Sequence, residues 1–537
     1  MDFSFAEVLG ALAVPFAAKE AVVDGERRFT WAQFDARTRG FAAFLARLGL
    51  HPRAERADLA NHESGQHHLA IYLHNSAEFL EALVGATRAR LAPFNVNYRY
   101  QAAELTYLLD DASPSVVVYE GAFAPVLAEV LPRLRRRPVL VQVDRGHGDL
   151  LPDAIPYEAA VAAHSALPEA NGDDLYILYT GGTTGMPKGV LWRQADIFVT
   201  ALGGRNFRGG GAEWSSVEDL VEAAIKRPGP RLLPAPPFMH GTGQWTALQA
   251  LVAGGTAIIQ PGATRFDPHT VLDTIERERV EVLVIVGDAF ARPLVEALDG
   301  SDRHRDLSSL VAIVSSGAAV TSTTREAIAR LLPHVKLKDV VGSSESGPQA
   351  DAQEGRVFVP RPGTLVVSTD RARVLSPTGE AGEEGWLASS GRVPLGYLGD
   401  PAKTADTFPV IDGVRFSIPG DRARYVDDGA IEVLGRDSMT INTGGEKVFA
   451  EEVESVLCDH PAVADALVVG RPSERWGSEV VAVVQLTSAT TDTELLAHCT
   501  DHLARYKAPK QIVFVDAVRR SPAGKPDYAW ASEVARA

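Results

Sequence analysis

The sequence predicts an α/β fold with layered sheets, followed by a small α+β unit. Three observations carry this. Short apolar runs alternate with amphipathic stretches through most of the chain. Several runs are β-branched and apolar on consecutive residues, as expected of strands covered on both faces. A composition change near Gly435 then sets off about a hundred residues, an ordinary domain size.

In chain order, the strand candidates are residues 115–119, 139–143, 175–179, 256–260, 282–286 and 310–314. Helical patterns lie between them, such as 268–279 and 323–332. Asp267 before Pro268 reads as an N-cap followed by proline at the first helical position. Residues 51–68 are polar and irregular, with Pro52, Asn61 and Gly65. The spacing of His62, His67 and His68 leaves a metal site open, but a solvated loop is the simpler reading. Gly209–Gly211 also reads as a loop. Asp427-Asp428-Gly429 looks like a hairpin turn between 423–426 and 430–434. The last unit offers a helix at 451–458, strands at 466–469 and 480–486, a helix at 493–505 and a strand at 511–515. There is no internal repeat and no long low-complexity tract.

Bulk properties exclude several classes. The 537 residues carry a net charge of −16. A nucleic-acid binder would need a basic footprint, so none is expected. Nucleotide binding stays open, because backbone donors and one or two cations can hold phosphates on an acidic protein. The two cysteines, Cys458 and Cys499, offer no metal spacing and read as reduced, partly buried thiols. No apolar run approaches the roughly 20 residues that span a bilayer. Asp2 and Glu7 stand where a secretory leader carries Lys or Arg, and Val534-Ala535-Arg536-Ala537 is not a peroxisomal address. A cytoplasmic protein is expected.

The most informative string is Tyr179-Thr180-Gly181-Gly182-Thr183-Thr184-Gly185-Met186-Pro187-Lys188-Gly189-Val190. Glycines let the backbone fold tightly against an oxygen-rich ligand. Threonine hydroxyls and successive N–H groups donate to phosphate oxygens, and Lys188 adds positive charge. It is not a Walker A loop, because Pro187 precedes the lysine and Gly189 follows it.

This string closely resembles the phosphate-binding loop of the acyl-adenylate-forming superfamily, which includes acyl-CoA synthetases, peptide-synthetase adenylation domains and luciferases. Further resemblances follow in order along nearly the whole chain. Pro236-Pro237-Phe238-Met239-His240-Gly241 resembles the aromatic/histidine motif at the acyl pocket. Ser315-Ser316-Gly317-Ala318-Ala319 resembles the adenine-contacting turn. Gly342-Ser343-Ser344-Glu345-Ser346-Gly347 resembles the segment whose glutamate ligates magnesium, which implies Glu345, with Thr184, as Mg²⁺ ligands. Pro419-Gly420-Asp421 resembles the motif whose aspartate holds the ribose hydroxyls. Gly435-Arg436 and Asn442-Thr443-Gly444-Gly445-Glu446-Lys447 resemble the interdomain hinge and the loop lining the thiol's approach. Ser521-Pro522-Ala523-Gly524-Lys525 resembles the catalytic-lysine motif.

The resemblance implies a large multi-sheet adenylation domain over residues 1–436 and a mobile small domain over 437–537, joined by a hinge at Asp437 and Ser438. Common members carry Asp or Lys two residues after the hinge arginine; here Ser438 stands there, so the pivot departs from the pattern. Each residue also fits its role physically. A carboxylate such as Glu345 suits Mg²⁺, Asp421 can accept two bonds from a diol, and Arg436 is a fixed cation. Alone, each would be an ordinary surface or turn residue, and Lys525 a solvated tail lysine. His240 is not assigned as a general base, because a carboxylate is already the nucleophile.

The strings 179–193, 441–448 and 520–528 together resemble actinobacterial acyl-CoA synthetases acting on fatty acids and steroid side-chain carboxylates. ATP, Mg²⁺ and coenzyme A are then the implied cofactors, and a homodimer is left open. Phe238, His240, Gly241, Trp245, Val286, Gly287 and Ser316 form the expected pocket wall. It is apolar, with no obvious acid or cation, which favours a hydrophobic carboxylic acid over an amino acid. The competing readings are an acyl-AMP ligase that loads a carrier protein and a catalytically silent homologue. A serine hydrolase lacks its Gly-x-Ser-x-Gly elbow.

Overall fold

In the computed structural model, the described residues are 2–146, 150–180, 186–206, 211–262, 266–300, 305–318, 320–354, 357–378, 382–443, 446–473, 477–503, 505–521 and 524–537. Among them two large sheets form the bulk of the chain. The first has eight strands in the order Gly396–Tyr397, Lys188–Arg193, Leu175–Thr180, Ala92–Asn95, His68–Tyr72, Val116–Glu120, Val139–Val143 and Ile155–Pro156. Its pairings are parallel except at Lys188–Arg193, which runs antiparallel to both neighbours.

The second sheet has fifteen strands. Its parallel half runs Glu20–Asp24, Thr256–Ile259, Arg231–Pro234, Val282–Ile285, Ala312–Ser316 and Lys336–Ser343. Antiparallel strands continue it through Gly347–Glu354 and Val357–Pro360 to Ile431–Arg436 and Asp421–Tyr425. One core joins both sheets through helices Trp31–Arg47, Ala77–Arg88 and Gly241–Val252, with Trp31, Phe41, Phe79 and Trp192 fully buried in it. Helices cover the parallel strands, which is why those strands read as continuous apolar runs.

This topology places the sequence motifs. Residues 236–240 follow Arg231–Pro234, Val286 and Gly287 follow Val282–Ile285, Gly317 and Ala318 follow Ala312–Ser316, and residues 344–346 follow Lys336–Ser343. All lie beyond the carboxyl ends of neighbouring parallel strands, where open α/β sheets bind ligands.

The last unit has its own core of Val448, Val453, Leu457, Val468, Ala482, Leu495 and Cys499. Helices Ala450–Cys458 and Asp492–His502 pack on a three-stranded sheet of Val463–Ser473, Gly477–Leu486 and Gln511–Val515. No helix among the described residues is long and apolar enough to cross a membrane.

Several boundaries differ from the sequence expectation. The strand expected at 310–314 is Ala312–Ser316, because Leu310 closes a turn onto Leu307 O. Residues 466–469 are the centre of the longer Val463–Ser473, whose ends pair antiparallel with Gly477–Leu486 although most of their residues are only partly buried. The helix expected at 493–505 stops at His502, where Leu503 turns extended. Arg205–Asn206 and Ala212–Glu213 pair across the glycine run, of which Gly209 and Gly210 lie outside the described residues.

The larger correction concerns residues 51–68. His68 is not solvated: it opens the buried strand His68–Tyr72. Its Nδ1 faces Ala112 O at 2.5 Å and its Nε2 faces Ser64 Oγ at 2.8 Å. His67 pairs with Ser115 Oγ at 2.6 Å and Arg53 at 3.1 Å. No group of three metal-ligating side chains forms among the described residues.

Burial pulls the His68 imidazole down to about 4 from an ordinary 6.5. The unfolded chain therefore takes up this proton below 6.5, while the native state refuses it until about 4. The stability contribution is complete above that window and is lost as pH falls through it. In urea unfolding between these limits, His68→Gln is expected to shallow the pH slope of stability by about 1.4 kcal/mol per pH unit. An unchanged slope would exclude this proton as the source.

Candidate active site

The glycine-threonine string bridges two antiparallel strands, with Thr180 opposite Lys188. A strand therefore follows the loop, unlike the helix that follows a Walker A loop. Gly181, Gly182, Thr183, Thr184 and Gly185 lie outside the described residues. Gly189 packs face-on to Tyr179: a Cβ there would come within 2.9 Å of the ring. The Asn95 amide ties the end of the strand Leu175–Thr180 to the 236–240 segment. It donates to Tyr179 O at 2.9 Å and Met239 O at 2.7 Å, and accepts from Tyr179 N at 2.9 Å.

Lys188 forms an ion pair with Asp400 and lies 5.9 Å from the ring centre of Tyr397. Asp400 also caps the helix Pro401–Thr407 by accepting from Lys403 N at 2.9 Å. The Lys188 hydrogen bond is the foremost cause holding its carboxyl below the usual range. The Tyr397 hydroxyl donates to Glu345 Oε1 at 2.9 Å. Glu345 is set by a turn in which its own N–H donates to Ser343 Oγ at 3.2 Å, and Ser417 Oγ donates to its carbonyl at 2.6 Å. Trp192 Nε1 donates to Ser344 O at 2.9 Å. A Cβ on Gly342 would lie 2.3 Å from Gly347 O, so the turn is closed to any side chain there.

On the facing edge, Gly287 takes φ +53° and donates to Ser315 Oγ at 2.9 Å, while that hydroxyl donates to Ala318 O at 3.1 Å. Ser316 and Gly317 thus sit on a turn pinned from beneath, with Gly317 at φ +94°. Ala319 lies outside the described residues. His240 precedes helix Gly241–Val252. Burial, helped by nearby Lys525 and Arg99, pulls its imidazole down to about 3, so it is neutral at ordinary pH. Phe238 is fully buried on Phe79, at 5.4 Å between ring centres, and supports the wall from beneath. The Trp245 indole N–H donates to Tyr176 OH at 3.0 Å, and that hydroxyl donates to Gln244 at 2.7 Å. The Gly241 Cα faces Leu178 and this indole, with only 3.1 and 3.4 Å left for a Cβ.

Asp421 and Arg436 are cross-strand partners, and Arg436 Nε donates to Asp421 Oδ1 at 3.2 Å. Next to them, Arg422 pairs with Asp437 at 2.7 Å and stacks 3.7 Å above the Trp386 ring. Asp437 opens a short 3₁₀ turn, Asp437–Met439; the side chain of Ser438 lies outside the described residues. The hairpin Thr440–Thr443 and Glu446–Phe449 follows. Gly444, Gly445 and the side chain of Lys447 also lie outside the described residues.

Lys525 comes from the far end of the chain. Its loop is closed by Ser521 N donating to Lys525 O at 2.7 Å, and Lys525 N donating to Ser521 Oγ at 3.1 Å. Pro522 and Ala523 lie outside the described residues. Gly524, at φ +76°, lies against the large sheet's edge: a Cβ would stand 3.0 Å from Ala289 Cβ and 3.3 Å from Val286 O. Ser322 Oγ adds a bond to Asp459 Oδ1 at 2.7 Å across the same seam. Arg292 and Asp288 lie within electrostatic reach of the buried thiol of Cys458. Lys525 is exposed as a residue, yet the crowded cleft desolvates its ammonium and lowers its pKa. Arg436 lowers it further, and Glu345 opposes them.

The folded chain therefore brings Lys525, Arg436, Asp421, Glu345 and His240 to one cleft. Tyr397, Asp400 and Asn95 join them without any motif to announce them. Only Asp400 left a sequence trace, as an Asp before Pro401.

Comparisons with known proteins agree in extent. A family model described as AMP-binding enzyme matches residues 13–398, and one described as AMP-binding enzyme C-terminal domain matches 452–525. The chain is 49% identical over 545 residues to a medium-chain acyl-CoA ligase, Mig, of Mycobacterium avium, covering 99% of this chain and 98% of the relative. It is 39% identical over 533 residues to a 3-oxocholest-4-en-26-oate–CoA ligase of Rhodococcus rhodochrous, covering 96% and 92%. Among solved structures it is similar to the anthranilate CoA ligase AuaEII in complex with anthranoyl-AMP, with TM-score 0.81 at 21% identity over 99% of this chain and 97% of that one. It is also similar to ATP-bound MatB from Rhodopseudomonas palustris, with TM-score 0.79 at 24% identity over 99% of both chains. At such identity the two structures speak for the fold alone.

Proposed function

The chain belongs to the AMP-binding enzyme family, and from that premise we propose that it is an AMP-forming acyl-CoA ligase for a hydrophobic carboxylic acid. The substrate class is a medium- or long-chain fatty acid or a steroid side-chain acid. In the first step a carboxylate oxygen attacks the α-phosphorus of ATP; the bond to the pyrophosphate leaving group breaks and acyl-AMP forms. In the second, the sulfur of coenzyme A attacks the acyl carbon and AMP leaves.

One observation carries this reading. A lysine twelve residues from the chain's end follows Gly524, which lies against Val286 and Ala289, and is within electrostatic reach of Arg436, Glu345 and His240. Lys525 bridges the incoming carboxylate and the α-phosphate, where charge builds in the transition state. Asp421 accepts from the ribose hydroxyls, and Arg436 orients Asp421 and the phosphates. Residues 180–185 and Lys188 receive the outer phosphates, for which Lys188 exchanges its Asp400 partner. Gly317 and Ala318 form the adenine edge, and Val286, Gly287, His240 and Trp245 line the acyl side. A neutral His240 adds no charge to that wall.

Glu345 fits a hard divalent cation: it is a carboxylate with one oxygen fixed by Tyr397, beside the phosphate-facing strand. With Thr184 it would hold Mg²⁺, which neutralises phosphate charge. Residues 1–436 act as the adenylating body. Residues 437–537 turn about Asp437 and Ser438 to withdraw Lys525 and present residues 444–447 to the thiol.

The test is AMP release across acids from short fatty acids to steroid acids, with and without coenzyme A. We expect AMP turnover that depends on coenzyme A and favours apolar acids, with no carrier protein required. Turnover confined to amino acids, or to a carrier protein as acceptor, would refute the proposal.

A further inference from the structure

The loop that carries Lys525 is held by a side chain that no motif assigns. Arg520 makes a two-pronged ion pair with Asp465, with Nε to Oδ2 at 2.6 Å and Nη2 to Oδ1 at 2.7 Å. Its remaining nitrogen, Nη1, donates to Gly524 O at 3.2 Å. That carbonyl belongs to the peptide bond leading directly into Lys525. Asp465 lies on the strand Val463–Ser473, which belongs to the small domain's sheet. One planar guanidinium therefore ties the lysine's own peptide unit to a rigid strand. Guanidinium geometry permits this, because its donors point in fixed directions and no rotation is needed to serve two acceptors at once.

The surroundings favour the same role. Both side chains are mostly buried, about a quarter exposed at 24% and 23%. Glu454 lies beside the pair, held by Val468 N at 2.8 Å and Tyr528 OH at 3.1 Å, and burial pushes its carboxyl up to about 8. Around the turn, Arg520 and Pro526 form an isolated β-bridge, and Asp527 N donates to Arg519 O at 3.1 Å. The turn's base is thus closed by backbone, while its tip is held through Gly524 O. On its outer side the tip meets Ala289 and Val286, where a Cβ on Gly524 would be a tight fit, 3.0 Å from Ala289 Cβ.

We infer that Arg520, oriented by Asp465, is a positioning residue for acyl-adenylate formation: it fixes the Gly524–Lys525 peptide so that Lys525 enters the cleft in reactive register. This rests on the reading of Lys525 given above. Arg520 touches neither acid nor nucleotide. Its influence is confined to the half-reaction in which the lysine is seated.

The experiment measures both half-reactions in the full-length protein for Arg520→Ala, Arg520→Lys and Asp465→Asn, each also in a Lys525→Ala background. Arg520→Ala is expected to lower kcat for adenylate formation 10- to 100-fold with KM for ATP within twofold, and to leave thioester formation from supplied acyl-adenylate within twofold. Arg520→Lys and Asp465→Asn keep part of the contact set and should fall between. In the Lys525→Ala background, removing Arg520 should change adenylate formation less than twofold, because there is no longer a lysine to place. The inference is overturned if both half-reactions fall together, if adenylate formation is unchanged, or if the loss recurs undiminished without Lys525. Wild-type adenylate formation in Lys525→Ala alone would instead overturn the role of the lysine itself.

Discussion

Lys525→Ala is expected to slow acyl-adenylate formation at least about 10²-fold while thioester formation from supplied acyl-adenylate stays near the wild-type rate. The magnitude follows from what the ammonium does. It meets charge that develops only as the carboxylate and α-phosphorus bond, and such an interaction is commonly worth about 3 kcal/mol, or two powers of ten. The selectivity follows from the seam: Gly524 rests on Ala289 and Val286, so the lysine is present only while that seat is occupied. Pyrophosphate exchange and a thioester assay from preformed adenylate separate the two steps. Equal loss in both, with the fold intact, would contradict the assignment.

Glu345→Gln is expected to lower the maximal rate of adenylate formation about 10- to 10²-fold and to raise the Mg²⁺ concentration needed for half of it about tenfold. Glutamine can still accept from Tyr397, so the turn should survive and the loss reports charge rather than shape. A second signature follows from Lys525. Desolvation and Arg436 depress its pKa, and Glu345 is the group that opposes them. Removing that carboxylate should move the alkaline limb of the adenylation pH profile to lower pH, because the ammonium then loses its proton sooner. An unchanged Mg²⁺ requirement together with an unmoved limb would count against both roles.

Much of the cleft was legible because its residues stand in contiguous strings. Glycine-rich turns beside strands announce a backbone ligand site; Glu345 stands inside one, and Asp421 opens its strand directly after Gly420. Tyr397 and Asn95 were not legible. Each acts by reaching across chain separations of 52 and 84 residues to a partner that the sheet order alone brings close. His68 was misread for a related reason. Its neighbours to the N-terminal side are polar, yet the strand begins at the histidine, and both its nitrogens are satisfied by groups that local pattern does not show. Strand ends were displaced wherever a turn or a long antiparallel partner, rather than apolarity, decided where pairing began.

The two thiols report on the small domain from within. Cys458 and Cys499 are both buried in the small domain's own core, and Cys458 also lies within the field of Arg292 and Asp288 on the other side of the seam. Because both thiols pack inside that core, movement of the small domain as a body leaves both of them covered. Their alkylation would then report opening of the small domain's own core rather than its displacement, without any engineered label.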